Sequence, residues 1–255
     1  MTDTIPQYTN YNGRRLAYHY HQASPPAFLF CGGFRSDMNG SKALALEEFC
    51  INNHYTYMRF DYSGHGKSEG EFSTLTLKDW LADNLHMLNL IKQQHVIIVG
   101  SSMGAWLALH TALQQPQRIS AFIGIASAPD FTSRLMKARF SNKQLMQLKR
   151  TGKVTIRSDY GNYDITNDFL QSGDALLLLD DSIDISCPMY LLHGQQDNDV
   201  PYDFSLNIAK QSTASHISTH LIKDGDHRLS RPEDLSLLKH ICRFAVDKSL
   251  SYLSV

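Results

Sequence analysis

Ser102 stands in Gly100-Ser101-Ser102-Met103-Gly104, a G-x-S-x-G spacing that can present a serine for acyl transfer. The physical reason for the spacing is crowding. A sharp strand-to-helix turn strains the serine backbone and leaves no room for side chains at the flanking positions, so glycines sit there. The serine oxygen is then held above a sheet, and the helix N-terminus behind it favours negative charge. Ser101 fails the same test, because Val99 and Met103 would flank it.

A serine hydroxyl is a poor nucleophile until a base takes its proton, and the base needs a third group to hold its tautomer. This spacing resembles the serine turn of the α/β-hydrolase family, and the resemblance implies that the partners follow in the order serine, acid, histidine. Of the 12 histidines, His227 in Asp224-Gly225-Asp226-His227-Arg228 lies just beyond the last strand and before the last helix, and is the expected base. His216 and His220 lie before or inside that strand and read as packing or surface groups. Asp197 is the expected acid, in the loop after a strand ending at His193; Asp199, Asp203 and Asp130 are its rivals. Two backbone N–H groups must hold the developing oxyanion. Met103, one past the serine, supplies one, and Phe34, in the Gly32-Gly33-Phe34 loop where glycines let the backbone approach closely, supplies the other. Only the Phe34 backbone is needed, so its ring is free to line an acyl pocket.

The elements that must position these groups are legible from periodicity. Val96-Ile97-Ile98-Val99 reads as a buried parallel strand, and Met103 to Leu113 as a helix ending before Pro116. Earlier, Tyr8–Tyr11 and Leu16–His21 alternate around Asn12-Gly13, a hairpin signal placed at the sheet edge. Ala27–Cys31 follows as a central strand, Ser41–Asn53 as a helix and Tyr55–Asp61 as a strand. Thr76 with Asp79 forms a capping box opening a helix from Leu77 to about Gln93. Ala121–Ala126, Met189–His193 and Ser218–Ile222 complete the strands. Phe204–Lys210 is a helix between the last two, and Ser230 opens a final helix to about Phe244. Alternating strands and helices imply a mostly parallel sheet with helices on both faces.

The rhythm breaks between about residues 130 and 186. Thr132–Lys149 reads as one helix, followed by a short Val154-Thr155-Ile156 run and a further helical stretch to Leu179. An insertion of this size is expected to form a small helical cap over the site within a single domain spanning 1–255. Its first half, Phe131–Arg157, carries only basic charges, and its second half, Asp159–Asp184, only acidic ones. Mutual neutralisation is the expected outcome; steering of an anionic substrate by the basic half is the alternative.

Composition narrows the function classes. The 255 residues carry a net charge of −1, which gives no global attraction to nucleic acid or to an anionic membrane. The four cysteines are scattered, without C-x-x-C, as suits a reducing compartment. Met1–Thr9 lacks a secretory pattern, and no apolar run approaches the ~20 residues of a membrane span, so a cytoplasmic location is expected. Gly66-Lys67-Ser68 imitates the end of a P-loop, but Asp61 occupies the place of its first glycine. The Asp61–Ser68 loop reads instead as a tight structural turn. No H-E-x-x-H or similar cluster is present, and neither metal nor cofactor is expected.

Taken together, these motifs resemble the α/β-hydrolase superfamily over nearly the whole chain. The Gly100–Gly104 turn, Asp61-x-x-Gly64-x-Gly66-x-Ser68, His193-Gly194-x-x-Asp197 with Val200-Pro201, and Gly225-Asp226-His227 fall in that family's order. The stretches Phe34–Ala43, Arg59–Gly70, Gly100–Trp106 and Gly225–Arg228 look like the branch containing the palmitoyl-protein thioesterase and mycophenolic acid acyl-glucuronide esterase. Without a mitochondrial leader the chain looks like a bacterial-type relative. The resemblance implies an α/β-hydrolase fold, a Ser102–Asp197–His227 triad, and a small-molecule acyl ester or thioester, or an acylated protein, as substrate. An amidase, lactonase or C–C hydrolase could use the same triad, and a binding protein could keep the fold without turnover.

Overall fold

Apolar runs build the centre of the sheet because each is covered on both faces. In β3 (Ser24–Cys31), Ala27, Leu29 and Cys31 face one core while Phe28 and Phe30 face the other. In β5 (Val96–Ser101), Val96 and Ile98 alternate in the same way with Ile97 and Val99. The computed structural model describes residues 5–157 and 162–252. Asp159, one of the acidic residues noted above, and the first four residues lie outside that description.

The remaining strands are β1 (Gln7–Tyr11), β2 (Arg14–His21), β4 (Tyr55–Phe60), β6 (Ile119–Ile125), β7 (Lys153–Ile156), β8 (Tyr163–Thr166), β9 (Met189–Gly194) and β10 (Ile217–Ile222). Eight strands form one sheet in the order β1-β2-β4-β3-β5-β6-β9-β10. The β1–β2 and β2–β4 pairs are antiparallel, and the other pairs are parallel. Asn12 and Gly13 take the positive φ values, 47° and 73°, that a tight edge hairpin requires. This is the α/β-hydrolase fold expected above.

One face is covered by α1 (Ser41–Asn52) and α7 (Pro232–Tyr252), through Leu46, Phe49, Leu238 and Ile241. The other is covered by α2 (Leu77–Leu90) and α3 (Met103–Gln114), through Trp80, Leu81, Trp106 and Leu109. The Thr76–Asp79 capping box opens α2 as anticipated. At α7, Asp234 accepts from the Arg231 N–H, whereas the Ser230 hydroxyl donates to the Arg228 carbonyl and does not cap the helix. The chain reverses direction across the sheet between β3 and β5. Their C-terminal ends therefore border a crevice, where loops can converge without competing for sheet hydrogen bonds.

The segment between β6 and β9 departs from the sequence reading. Instead of one helix over 132–149, a π-helical turn (Thr132–Met136) and a 3₁₀ turn (Lys137–Arg139) lead to a break at Phe140. Phe140 is buried in extended conformation, and Ser141 with Gln144 forms a fresh capping box for α4 (Asn142–Thr151). Val154-Thr155-Ile156 belongs to a hairpin, β7 paired antiparallel with β8, whose second strand the sequence reading placed in helix. Then come α5 (Asn167–Asp174) and, after β9, α6 (Asp203–Gln211). Opposite charges within the insertion meet as Arg134–Asp180, Lys137–Asp174 and Lys153–Asp164 ion pairs at 2.6 Å each, which pairs three of the eight basic residues of 131–157. Among the described residues no helix is long and apolar enough to cross a membrane.

Candidate active site

At the end of β5 the backbone turns so sharply that Ser102 is left at φ 55°, ψ −120°, a conformation that a non-glycine residue rarely holds without support. Support comes from the end of β6, the loop after it and the first turn of α3. The Ser102 N–H donates to the Ile125 carbonyl at 2.9 Å, and the Ser102 carbonyl accepts from Ala128 at 3.2 Å and Ala105 at 3.0 Å. The flanking glycines answer to crowding as expected. A Cβ on Gly100 would lie 2.4 Å from Ala105 Cα, and one on Gly104 would lie 2.1 Å from the Cys31 carbonyl oxygen. Gly104 thus lets the start of α3 press against the end of β3.

The structure brings Ser102, Asp197 and His227 together from three separate loops. His227 Nε2 lies 3.1 Å from Ser102 Oγ, and His227 Nδ1 lies 2.7 Å from Asp197 Oδ2. A carboxylate can only accept, so the His227 proton sits on Nδ1 and Nε2 is left to accept from the serine hydroxyl. The loops of Asp197 and His227 touch through glycine: a Cβ on Gly194 would lie 2.2 Å from the Gly225 carbonyl oxygen. Gln195 and Gln196 N–H groups donate across the same seam to Ile222 and Gly225. Asp226 shapes the turn after it by accepting from the Arg228 and Leu229 N–H groups, both at 3.0 Å.

Asp197 is fully enclosed at its side chain. Burial by itself would raise its pKa, but hydrogen bonds from His193 and His227 and from the Val200 N–H outweigh burial and hold the carboxyl well below the usual carboxylate range. His193, read from sequence only as the end of a strand, is the residue that reasoning missed. Its Nε2 lies 3.1 Å from Asp197 Oδ2 and 3.0 Å from the Val200 carbonyl, both acceptors, while Nδ1 lies 2.7 Å from Ser205 Oγ. A histidine four residues before the acid on a wholly buried strand was the available signal.

The rivals separate cleanly. Asp130 is buried and spends both oxygens elsewhere, accepting from the Leu178 and Leu179 N–H groups and from Arg134, which fastens the insertion to the end of β6. Asp199 is exposed; one of its carboxylate oxygens falls within 4.8 Å of the polar atoms of Asp197 and His227, but the hydrogen bond it makes to Asp197 comes from its backbone. Asp203 begins α6 on the surface. His216 packs edge-on against Tyr190, and His220 bonds Ser218.

Met103 is the first residue of α3, where an N–H has no acceptor within its own helix. Gly33, before Phe34, sits against the serine turn: a Cβ there would be 3.6 Å from Ser102 Cβ. That is ordinary contact, and a Cβ on Gly32 would meet nothing within 4 Å. Neither glycine is demanded by crowding inside the protein, unlike Gly100 and Gly104. The Phe34 ring packs among Phe72, Phe131, Tyr163 and Phe169, with centroids 5.3 to 5.8 Å away. It therefore joins the loop after β3 to the β6–β9 insertion.

The family model described as "alpha/beta hydrolase fold" matches residues 26–147. The mouse mitochondrial palmitoyl-protein thioesterase ABHD10 is 36% identical over 242 residues, covering 94% of this chain and 80% of its own. The solved structure of mouse alpha/beta hydrolase domain-containing protein 10 superposes with a TM-score of 0.88 at 34% identity, over 96% of this chain and 99% of that one. Est1E from Butyrivibrio proteoclasticus, solved with ferulic acid, matches at a TM-score of 0.79 and 20% identity over 98% of this chain and all of its own, a likeness of fold. On this fold, this order of motifs and these relatives, the chain belongs to the α/β-hydrolase superfamily.

Proposed function

We propose that this protein is a serine hydrolase that cleaves carboxylic esters or thioesters through an acyl-enzyme on Ser102. The observation that carries the reading is the continuous relay from Asp197 Oδ2 through His227 to Ser102 Oγ, at 2.7 and 3.1 Å. His227 Nε2 takes the serine proton as Oγ attacks the acyl carbon, and Asp197 stabilises the imidazolium that results. The Phe34 and Met103 N–H groups hold the oxyanion. His227 then gives its proton to the departing alcohol or thiol, and a water activated by the same nitrogen releases the acid. The β6–β9 insertion acts as a cap over this centre. The name of the mouse relative supports thioesters, acylated proteins among them, and the same acyl transfer serves oxygen esters. A cytoplasmic, reducing setting suits the four buried, unpaired cysteines.

The test is hydrolysis of matched oxygen and thio esters over a series of acyl lengths, with Ser102→Ala as the blank. Turnover that vanishes in the variant is expected, together with labelling of the wild type by a fluorophosphonate. Turnover retained by Ser102→Ala, or no turnover and no labelling in the wild type, would overturn the reading.

A further inference from the structure

Two successive peptide planes in the loop after β3 are pinned by different means. The Ser36 N–H donates to the Gly33 carbonyl at 3.1 Å, which fixes the plane shared by that carbonyl and the Phe34 N–H. The next plane carries the Arg35 N–H, and its acceptor comes from a distant loop: His65 Nε2, at 3.1 Å. Arg35 stands at φ 57°, a left-handed value that an arginine keeps only when its surroundings hold it.

His65 is built to accept. It is 4% exposed and is walled in by the rings of Trp80, Phe72 and Tyr62, at 4.9, 5.3 and 5.7 Å. Its Nδ1 lies 3.1 Å from the Ser63 carbonyl. A carbonyl only accepts, so the ring proton sits on Nδ1 and the Nε2 lone pair is free for Arg35. Burial lowers the His65 pKa to about 4, which keeps the ring neutral near neutral pH. The Ser63 carbonyl also receives the Trp80 indole N–H at 3.0 Å, and the Ser63 N–H donates to Asp83 at 2.8 Å, so the support runs into α2. On its outer side the loop is touched by the insertion: the Arg35 guanidinium lies 4.4 Å over the Tyr163 ring.

We infer that His65 is a positioning residue for the oxyanion loop, holding the Arg35 peptide plane so that the Phe34 N–H stays aimed at the reacting oxygen. The inference rests on the assignment of Phe34 as an oxyanion donor. With no acceptor at this place, rotation about the Phe34–Arg35 peptide relaxes the left-handed residue and spoils the Ser36-to-Gly33 turn. The ring contacts of Phe34 then hold its side chain but not its N–H direction.

His65→Leu keeps the bulk and removes the acceptor, and His65→Gln returns an acceptor near the Nε2 position. Rates are expressed per site titrated to completion with a fluorophosphonate. For His65→Leu we expect kcat to fall about 10- to 100-fold with KM within about twofold, since a misplaced donor acts on the transition state. Affinity for a trifluoromethyl ketone, whose serine adduct carries the oxyanion, should weaken by the same factor. His65→Gln should recover most of both. A His65→Leu enzyme with unchanged kcat, or a kcat loss without weaker ketone binding, would overturn the inference. If that variant does not fold, ¹⁵N spectra of the wild-type imidazoles decide: a neutral Nδ1–H tautomer for His65 is expected, and an Nε2–H or charged ring would overturn it. Ser102→Ala separates the two levels. Loss of turnover there alongside an indifferent His65→Leu rejects only the clamp, whereas retained turnover rejects the serine mechanism itself.

Discussion

Asp197 divides its two oxygens between separate tasks. Oδ1 accepts from the Asp199 and Val200 N–H groups, at 2.9 and 2.8 Å, which fixes the carboxylate plane. Oδ2 accepts from His193 and His227, at 3.1 and 2.7 Å, so the oxygen that faces His227 is itself oriented by a second histidine. Asp197→Asn should therefore do more than remove a charge. If the amide oxygen stays with the two backbone donors, the NH₂ faces His227 and forces it into the Nε2–H tautomer, which cannot take a proton from Ser102. We expect turnover per titrated site to drop about 10³- to 10⁴-fold, and the unfolding midpoint at neutral pH to fall as well, because the charged acceptor of the buried His193 N–H is lost. A loss below about tenfold in steady-state assays would show that Asp197 does not set the tautomer.

The elements holding these residues explain which features were readable in the chain. Gly100 and Gly104 announced the serine turn because their reason is local: the turn itself leaves no space. Gly104→Ala, with a Cβ 2.1 Å from the Cys31 carbonyl oxygen, should cost at least about 2–3 kcal/mol in urea unfolding, while Gly33→Ala should stay within about 1 kcal/mol. Equal costs at the two positions would refute this account of the turn. Asp197 and His227 were legible for a similar reason, each lying in a short loop just after a strand. His193 and His65 were not, because their partners are set by tertiary approach: Val200 and Ser205 in one case, Arg35 in the other. The insertion was misread where Phe140 breaks the helical period to reach the core. In α2, Asp83 shows another effect invisible in sequence. Burial raises its pKa to about 6, the Ser63 N–H opposes that rise, and Oδ1 has no hydrogen-bond partner among the described residues. A carboxyl whose native pKa lies above its unfolded value binds more protons when folded, so its contribution to stability is present below about pH 4 and is lost as pH rises through 6. Asp83→Asn should remove that slope, gaining on the order of 2 kcal/mol at pH 8 relative to pH 4 against the wild type in chemical denaturation. Parallel stability curves for the two proteins would refute it.

For the molecule as a whole the open choice lies between neutralisation and steering. Phe131–Arg157 has eight basic residues and no acidic one, inside a chain whose net charge is −1. A field from that segment would draw anionic substrates only if its charges were uncompensated. Arg134 is flanked by Asp130 and Asp180, Lys137 by Asp174 and Lys153 by Asp164, while Arg139 bonds the Asn198 and Asp199 carbonyls. At 0.15 M salt the Debye length is about 8 Å, so the separated charges of such pairs cancel within roughly the distance at which a substrate would sense them. Three of the eight basic residues, Arg134, Lys137 and Lys153, thus meet carboxylates, and Asp130 fastens the insertion to the sheet. A pair of esters sharing one acyl chain, one with a neutral and one with an anionic leaving group, should then show kcat/KM ratios constant to within about twofold between 20 and 500 mM salt. A steep fall confined to the anionic ester would instead show that the remaining basic residues of this segment, Lys143, Lys149 and Arg150 among them, guide it to Ser102.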